Sequence, residues 1–251
     1  MPDFRVFCSH VAADAAEILL SADESHHLVN VIRARAGDPV VAFDGVGSEW
    51  QCELTSPRKN GATLKVLSRK SANPLHYAIT LAQALPKGPA MDAIVRKATE
   101  IGARRIVPLE SERTQVHFEG DRCDKKVEKW QTAALEAAKQ CGNAFVPQID
   151  PVRRLPEYVS NTSDFDLKLV ASLHPGAGSL KTILATFRRA HSRNPVNVLW
   201  LVGPEGDLTA AEMALLVQSG FEPVTLGPLV LRCDTAATYA LSVLSYELQA
   251  E

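Results

Sequence analysis

Residues 198–240 read VLWLVGPEGDLTAAEMALLVQSGFEPVTLGPLVLRCDTAATYA. Val198 to Val202 is a continuous apolar run, the pattern of a strand buried on both faces of a parallel sheet. It leads straight into Gly203-Pro204-Glu205-Gly206. Thr209 and Glu212 then form a T-x-x-E capping box, so a helix is expected to begin there. Pro223 to Leu226 reads as a second short strand and leads into Gly227-Pro228-Leu229-Val230-Leu231-Arg232. Asp234 is placed to cap a last helix with Ala237, Leu241, Leu244 and Leu248 on one face. Two strand-to-loop-to-helix units in tandem put both Gly-containing loops at the carboxyl ends of parallel strands, where α/β folds hold their ligands.

Charge singles out one residue of this stretch. Between Asn194 and Glu251, Arg232 is the sole cationic side chain among seven acids. It directly precedes a helix N-terminus, where the helix dipole disfavours positive charge. A cation kept against local preference marks either a ligand that needs it or a structural ion pair with Asp234 or Glu205.

The whole chain has 251 residues, 46% hydrophobic and 22% charged, enough for one large or two modest domains with a real core. No apolar run reaches membrane-spanning length, and the first residues lack the basic-then-apolar order of a signal peptide. A cytoplasmic protein with no membrane partner is expected. The five Cys are scattered, with no C-x-x-C and no His/Cys cluster at zinc spacing, so reduced thiols and no metal are expected. Net charge is −2 but uneven: from Arg58 to Arg105 ten Lys or Arg face two acids. Such asymmetry points to a polyanionic partner or to a solvated charged face. An acidic C-terminal third is compatible with a cationic cofactor.

Residues 1 to 72 read as a small β-rich domain. Pro39 to Phe43 and Ala62 to Leu67 are short apolar or alternating runs, broken by turn signals at Gly37-Asp38, Asp44-Gly45, Gly47-Ser48 and Asn60-Gly61. Asn60-Gly61 is a hairpin candidate between Trp50–Thr55 and Ala62–Leu67. A helix is expected from Asp23 to Arg35, stopped by Gly37. Its adjacent His26 and His27 cannot share one site on a helix face, which argues against a metal. Arg33 and Arg35 either contact phosphate or are simply exposed. Ser71 to Pro74 is the expected linker. From residue 73 to 251, strand and helix patterns alternate: Tyr77–Leu85 strand, a helix from about Pro89 to Glu100, Arg105–Leu109 strand, Asp124–Gln140 helix, Asp166–Leu173 strand, Ser179–Ala190 helix, then the two units above. That alternation predicts an α/β domain on a mainly parallel sheet.

With these segments in order, the chain resembles the SPOUT methyltransferases and, more narrowly, the bacterial RsmE family. GPEG followed by LG-x-x-x-LR-x-x-TA looks like the cofactor region of that family. His26-His27-Leu28-Val29-Asn30-Val31-Ile32-Arg33 resembles its H-H-L-x-x-V-L-R signature. Leu85-Pro86-Lys87-Gly88, Met91-Asp92 and Lys97-Ala98-Thr99-Glu100-Ile101-Gly102 resemble L-P-K-G-x-x-M-D and K-A-T-E-L-G, and Pro108 to Arg113 resembles the next strand and loop. Leu173-His174-Pro175 sits where the family often has a loop near the cofactor. There are departures. Asp207 and Leu208 stand where the family usually has Gly and Phe, Asp234 where it has Glu, and Lys139 to Asn143 where it often has E-Q-S-x-R.

The resemblance implies a PUA-like N-terminal domain that helps bind RNA, and a C-terminal domain with a trefoil knot. It implies a homodimer that uses S-adenosylmethionine to methylate the N3 nitrogen of one uridine in 16S rRNA of the small ribosomal subunit. Leu173, His174, Val202, Gly203, Pro204, Glu205, Gly206, Leu226, Gly227, Leu229, Leu231 and Ala236 are the expected cofactor residues. Gly203, Gly206 and Gly227 would let backbone approach the ligand closely. Removing the imide proton of uridine leaves negative charge on the uracil oxygens, which Arg232 would stabilise. Asp234 or Glu205 would take the proton or orient Arg232. Arg33, Arg35, Lys87 and Arg113 are the expected RNA contacts. Other readings are a SPOUT enzyme acting on a ribose 2′-hydroxyl or on tRNA, and a catalytically silent RNA-binding assembly protein. Neither G-x-G-x-x-G, G-x-x-x-x-G-K nor G-x-S-x-G occurs, which disfavours dinucleotide, nucleotide-hydrolysing and serine-hydrolase chemistry.

Overall fold

The computed structural model describes residues 4–12, 14–116, 120–174 and 176–249. The chain divides into two units, Met1–Pro74 with Leu135–Val146, and Leu75–Ala134 with Pro147–Glu251. No described helix is long and apolar enough to cross a membrane.

The first unit contains β1 (Phe4–Phe7), β2 (Glu17–Leu19), α1 (Ala22–His26), β3 (Pro39–Phe43), β4 (Ser48–Ser56) and β5 (Thr63–Ser71). They form one sheet in the order β1-β3-β4-β5-β2, antiparallel except where β1 lies parallel to β3. One face buries Val6, Val40, Ala42, Trp50, Cys52, Leu54 and Leu64 together with Leu28. The segment Leu135–Val146 belongs here because of close approaches at two glycines. A Cβ on Gly47 would lie 2.7 Å from the Phe145 ring, and one on Gly45 3.1 Å from Val146. Lys139, whose side chain is 8% exposed, pairs with Glu24 and Glu136. The departure at this position is therefore a buried structural ion pair.

Two expectations for this unit need correction. The helix expected from Asp23 to Arg35 is α1 followed by a π-helical turn over His27–Val31. The Ile32 N–H donates to the His27 carbonyl and the Ala34 N–H to the Leu28 carbonyl, both at 3.0 Å. Arg33 between them is left-handed, with φ 64°, and the helix ends there rather than at Gly37. The hairpin joins β4 to β5 as expected, but through residues 57–62 rather than a two-residue Asn60-Gly61 turn.

The second unit is built on parallel strands. In chain order it has β6 (Ala78–Ala84), α2 (Ala90–Ile101), β7 (Arg105–Glu110), α3 (Asp121–Cys141, whose last turns belong to the first unit), β8 (Gln148–Ile149), β9 (Arg153–Arg154) and α4 (Leu155–Val159). Then follow β10 (Leu167–Ala171), α5 (Leu180–His191), β11 (Asn197–Val202), α6 (Ala210–Gln218), β12 (Phe221–Val224) and α7 (Cys233–Gln249). The sheet order is β12-β10-β11-β6-β7-β8, with β9 beside β7, and every pairing is parallel. β11, the run Val198–Val202, is central and buried on both faces, as its unbroken apolarity requires. On one face Leu199 and Leu201 pack with Val107, Leu109, Val170, α4 and α6. On the other, α7 lies over β6 and β11 and packs against α2.

Helix ends follow the local chemistry. Thr209 and Glu212 make the full capping box, Ser179 caps α5, and Gly102 ends α2 with φ 93°. Asp234 differs from expectation. It lies within the first turn of α7, where its charge still suits the dipole, rather than at the cap.

Asp166 ties the start of β10 to that of β11. Its carboxylate accepts from Arg193 Nη1 and Nη2 at 3.1 and 2.8 Å and from the N–H groups of Val196 and Asn197 at 2.8 and 3.0 Å. The Arg193 hydrogen bonds, then the backbone donors, hold this carboxyl well below the usual range against the opposing effect of burial. A depressed folded-state pKa gives stability that is complete above the unfolded value, about 3.9, and is lost as pH falls below it. Asp166→Asn is expected to lower Tm at pH 7, with the gap to wild type narrowing steadily below about pH 4. Melts at stepped pH check this, and a gap independent of pH would assign the effect to packing.

Candidate active site

The carboxyl ends of β10, β11 and β12 converge on a crevice of about 290 Å³. Its walls are largely apolar. Ala171 and Leu173 come from the end of β10, Val202 from the end of β11, Leu226 from beyond β12, and Leu229, Val230 and Leu231 from the loop into α7. Leu229 and Val230 are 72% and 80% exposed. Among the described residues three charged side chains line the same space: Glu205, Asp207 and Arg232.

The Gly203–Gly206 loop is held from several sides. The Lys87 N–H donates to Glu205 Oε1 at 2.9 Å, and Arg113 Nη1 to the Gly206 carbonyl at 2.9 Å. A Cβ on Gly206 would lie 3.2 Å from the Arg113 Cβ, a tight contact that glycine avoids where the two loops approach. Asp207 N–H to the Pro204 carbonyl, 3.0 Å, closes the turn. Beneath it Gln83, fully buried, donates through Nε2 to the Ala84 carbonyl at 2.8 Å and reaches the Val202 carbonyl at 3.5 Å. The end of β11, which launches the Gly203–Gly206 loop, is thus bridged to the end of β6 by one side-chain amide.

The structure brings Leu173, Val202, Gly203, Pro204, Glu205, Leu226, Leu229, Leu231, Arg232 and Ala236 to the crevice wall. Other singled-out residues lie apart from it. His174 is exposed and its N–H donates to Ser172 Oγ at 3.2 Å, while Pro175 lies outside the described residues. Gly206 faces Arg113, and Gly227, with φ 111°, shapes its loop by donating to Thr225 Oγ1. Asp234 is carried into α7. Lys87 and Arg113 brace the Gly203–Gly206 loop, whereas Arg33 and Arg35 are exposed in the first unit. Among the described residues Arg232 has no ion pair or side-chain hydrogen bond; the structural pairing with Glu205 or Asp234 is not formed.

Residues 73–245 match the family model of the RNA methyltransferase domain, and residues 20–67 that of the RNA methyltransferase PUA domain. The chain belongs to the RNA methyltransferase family. Ribosomal RNA small subunit methyltransferase E of Bacillus subtilis is 32% identical over 241 residues, 94% of this chain and 92% of the relative. A Legionella pneumophila methyltransferase solved with bound SAM superimposes with TM-score 0.87 at 29% identity, covering 98% of each chain. Ribosomal RNA small subunit methyltransferase E of Neisseria gonorrhoeae, bound to S-adenosyl methionine, gives TM-score 0.86 at 28% identity over 98% of each chain.

In this RNA methyltransferase, five described residues that line the crevice were not among the expected cofactor or catalytic residues: Ala171, Ser172, Asp207, Val230 and Cys233. Ala171 and Ser172 could have been found from the rule that the carboxyl ends of adjacent parallel strands face the same ligand. A buried Gln inside the apolar run of β6 was the available signal for Gln83. The Cys233 thiol is pushed up to about 11, first by burial and then by the Glu205 and Asp234 carboxylates. It is un-ionised and unreactive at neutral pH. Among the described residues no group of three or more His, Cys, Asp or Glu is placed to hold a metal ion.

Proposed function

We propose that this chain is a SPOUT-type methyltransferase that transfers the methyl group of S-adenosylmethionine to the N3 nitrogen of a uridine in 16S rRNA of the small ribosomal subunit. The observation that carries the reading is the crevice itself, apolar on most sides and lined by backbone of two Gly-containing loops, with one unpaired Arg at its edge. An adenine ring needs an apolar slot, and its ribose and polar edges need backbone donors and acceptors; the residues present fit both. The bound cofactor would supply an electrophilic methyl on a sulfonium centre.

The chain's own side chains would do the rest. Val202, Leu226, Leu229 and Leu231 would enclose the adenosine and exclude water. Arg232, fixed at the start of α7 and not committed to another carboxylate, would sit over the uracil oxygens as charge develops there. Glu205 lines the crevice and Asp234 does not, so Glu205 is the better-placed proton acceptor and Asp234 supports the first turn of α7. Lys87 and Arg113 would position the Glu205 loop, and Arg33 and Arg35 would contact RNA phosphates.

The C-terminal trefoil knot, a homodimer and a cytoplasmic setting belong to the same proposal. A groove of about 440 Å³ along α5 and α7, bordered by Trp200 and the exposed Tyr239 and Tyr246, supports the dimer. The first unit would be the PUA-like RNA-holding part, which its match to that family model supports.

Methyl transfer from labelled S-adenosylmethionine to unmodified small subunits, naked 16S rRNA and tRNA tests the reading, with nucleoside mass spectrometry of the product. Label recovered as 3-methyluridine in 16S rRNA is expected. Label in ribose or tRNA would replace the substrate, and no label with no cofactor binding would leave an RNA-binding protein.

A narrower test concerns Arg33. A non-glycine residue at φ 64° is disfavoured by roughly 1–2 kcal/mol. Arg33→Gly is therefore expected to keep Tm or raise it slightly, while lowering the slope of log RNA affinity against log salt by about 1. A lower Tm with an unchanged slope would make the side chain structural.

A further inference from the structure

The crevice contains one residue whose backbone is held against preference. Asp207 has φ 59°, one of three non-glycine residues in the left-handed region among those described, and it lines the crevice. Asp tolerates this conformation better than most residues but still less well than Gly. Turn geometry alone would be served by Gly, so the carboxylate adds a charge that the turn itself does not require.

The environment narrows what that is. Asp207 Oδ1 accepts the Leu208 N–H at 2.8 Å, which orients the carboxylate. No cation or side-chain donor among the described residues reaches its other oxygen. Glu205 stands nearby in the same turn and Arg232 lines the same crevice, without an ion pair joining any two of the three. Two carboxylates in a mainly apolar cleft, with a single Arg, leave an uncompensated negative charge where the ligand sits. Such a charge favours a cationic ligand over a neutral one of the same shape.

We infer that Asp207 is a charge-selecting residue of the crevice: its carboxylate makes the site hold the sulfonium-bearing methyl donor more tightly than the neutral thioether left after transfer. This rests on the methyl-transfer reading above. The donor loses one positive charge at sulfur when its methyl leaves, so attraction to Asp207 falls once the reaction is done. The residue then favours exchange of spent cofactor for fresh, without touching the bond that breaks.

The test is calorimetric titration of S-adenosylmethionine and S-adenosylhomocysteine into wild type, Asp207→Asn and Asp207→Gly. Asn keeps an oxygen for the Leu208 N–H and tolerates the left-handed backbone, so it removes charge alone. The ratio of the two affinities is expected to move about fivefold toward the product in both variants, through weaker donor binding. An unchanged ratio, or equal weakening of both ligands, would overturn the inference. Loss of methyl transfer with an unchanged ratio would do the same, because it would make Asp207 part of the proton path. Failure of wild type to bind either ligand would remove the methyl-transfer reading itself, a result distinct from an unchanged ratio in a protein that binds both.

Discussion

Arg232→Ala is expected to slow methyl transfer by about a hundredfold to a thousandfold while leaving S-adenosylmethionine affinity within about threefold. The separation follows from where the charge is needed. Among the described residues Arg232 is the one cation lining the crevice, and the crevice already carries Glu205 and Asp207. Removing a cation from such a site does nothing to repel a cationic cofactor. What is lost is stabilisation of negative charge on the acceptor base, which exists only as the reaction proceeds. Arg232→Lys is expected to recover part of the rate, since a point charge replaces a planar fork. Single-turnover transfer gives the rate and calorimetry the affinity. Near-normal turnover in the Ala variant would remove Arg232 from the chemistry. A parallel fall in both quantities would instead mean that the loop into α7 had lost its shape.

The parts of this molecule that were legible from sequence are those whose cause is local. The capping box at Thr209 and Glu212, the Ser179 cap and the left-handed stops at Gly102 and Gly142 each depend on a few consecutive residues. The unbroken apolarity of Val198–Val202 correctly marked a strand covered on both faces. What sequence did not reveal depends on distant partners. β1 and β2 have four and three residues, too short for a period, and exist because β3 and β5 accept them. Leu135–Val146 joins the first unit through a ring lying against Gly47, nearly a hundred residues away. At His27–Val31 the apolar spacing suited an α-helix, but the bonds slip to i→i+5 and the helix ends early. The crevice shows the same division. Residues in the two Gly-containing loops were readable as a group, whereas Ser172 and Ala171 enter it only because β10 lies between β11 and β12.

The basic excess between Arg58 and Arg105 was legible as charge but not as available charge, and the difference sets the second large expectation. Among the described residues at least three of its ten cations are held in ion pairs: Lys70 to Glu49 at 3.2 Å, Lys97 to Glu100 at 2.8 Å and Arg105 to the buried Asp150 at 2.6 Å. Asp150 is 45 residues from Arg105, so no local reading could have subtracted it. Within the first unit, Arg58, Lys59 and Lys65 remain exposed, and Arg33 and Arg35 join them. Five phosphate contacts would give a slope of roughly −3.5 to −4.5 for log affinity against log salt. RNA affinity is then expected to fall about a hundredfold to five-hundredfold between 50 and 200 mM salt. Fluorescence anisotropy on a labelled 16S rRNA fragment measures it. Arg58→Glu with Lys59→Glu should flatten the slope by about 2. A charge reversal at Lys97 should leave the slope almost unchanged, because that ammonium is already spent on Glu100. If affinity barely responds to salt, the exposed cations are solvated surface and RNA must be held by shape and stacking. If the Lys97 variant flattens the slope as much as the pair does, total charge governs binding and the placement of individual cations does not.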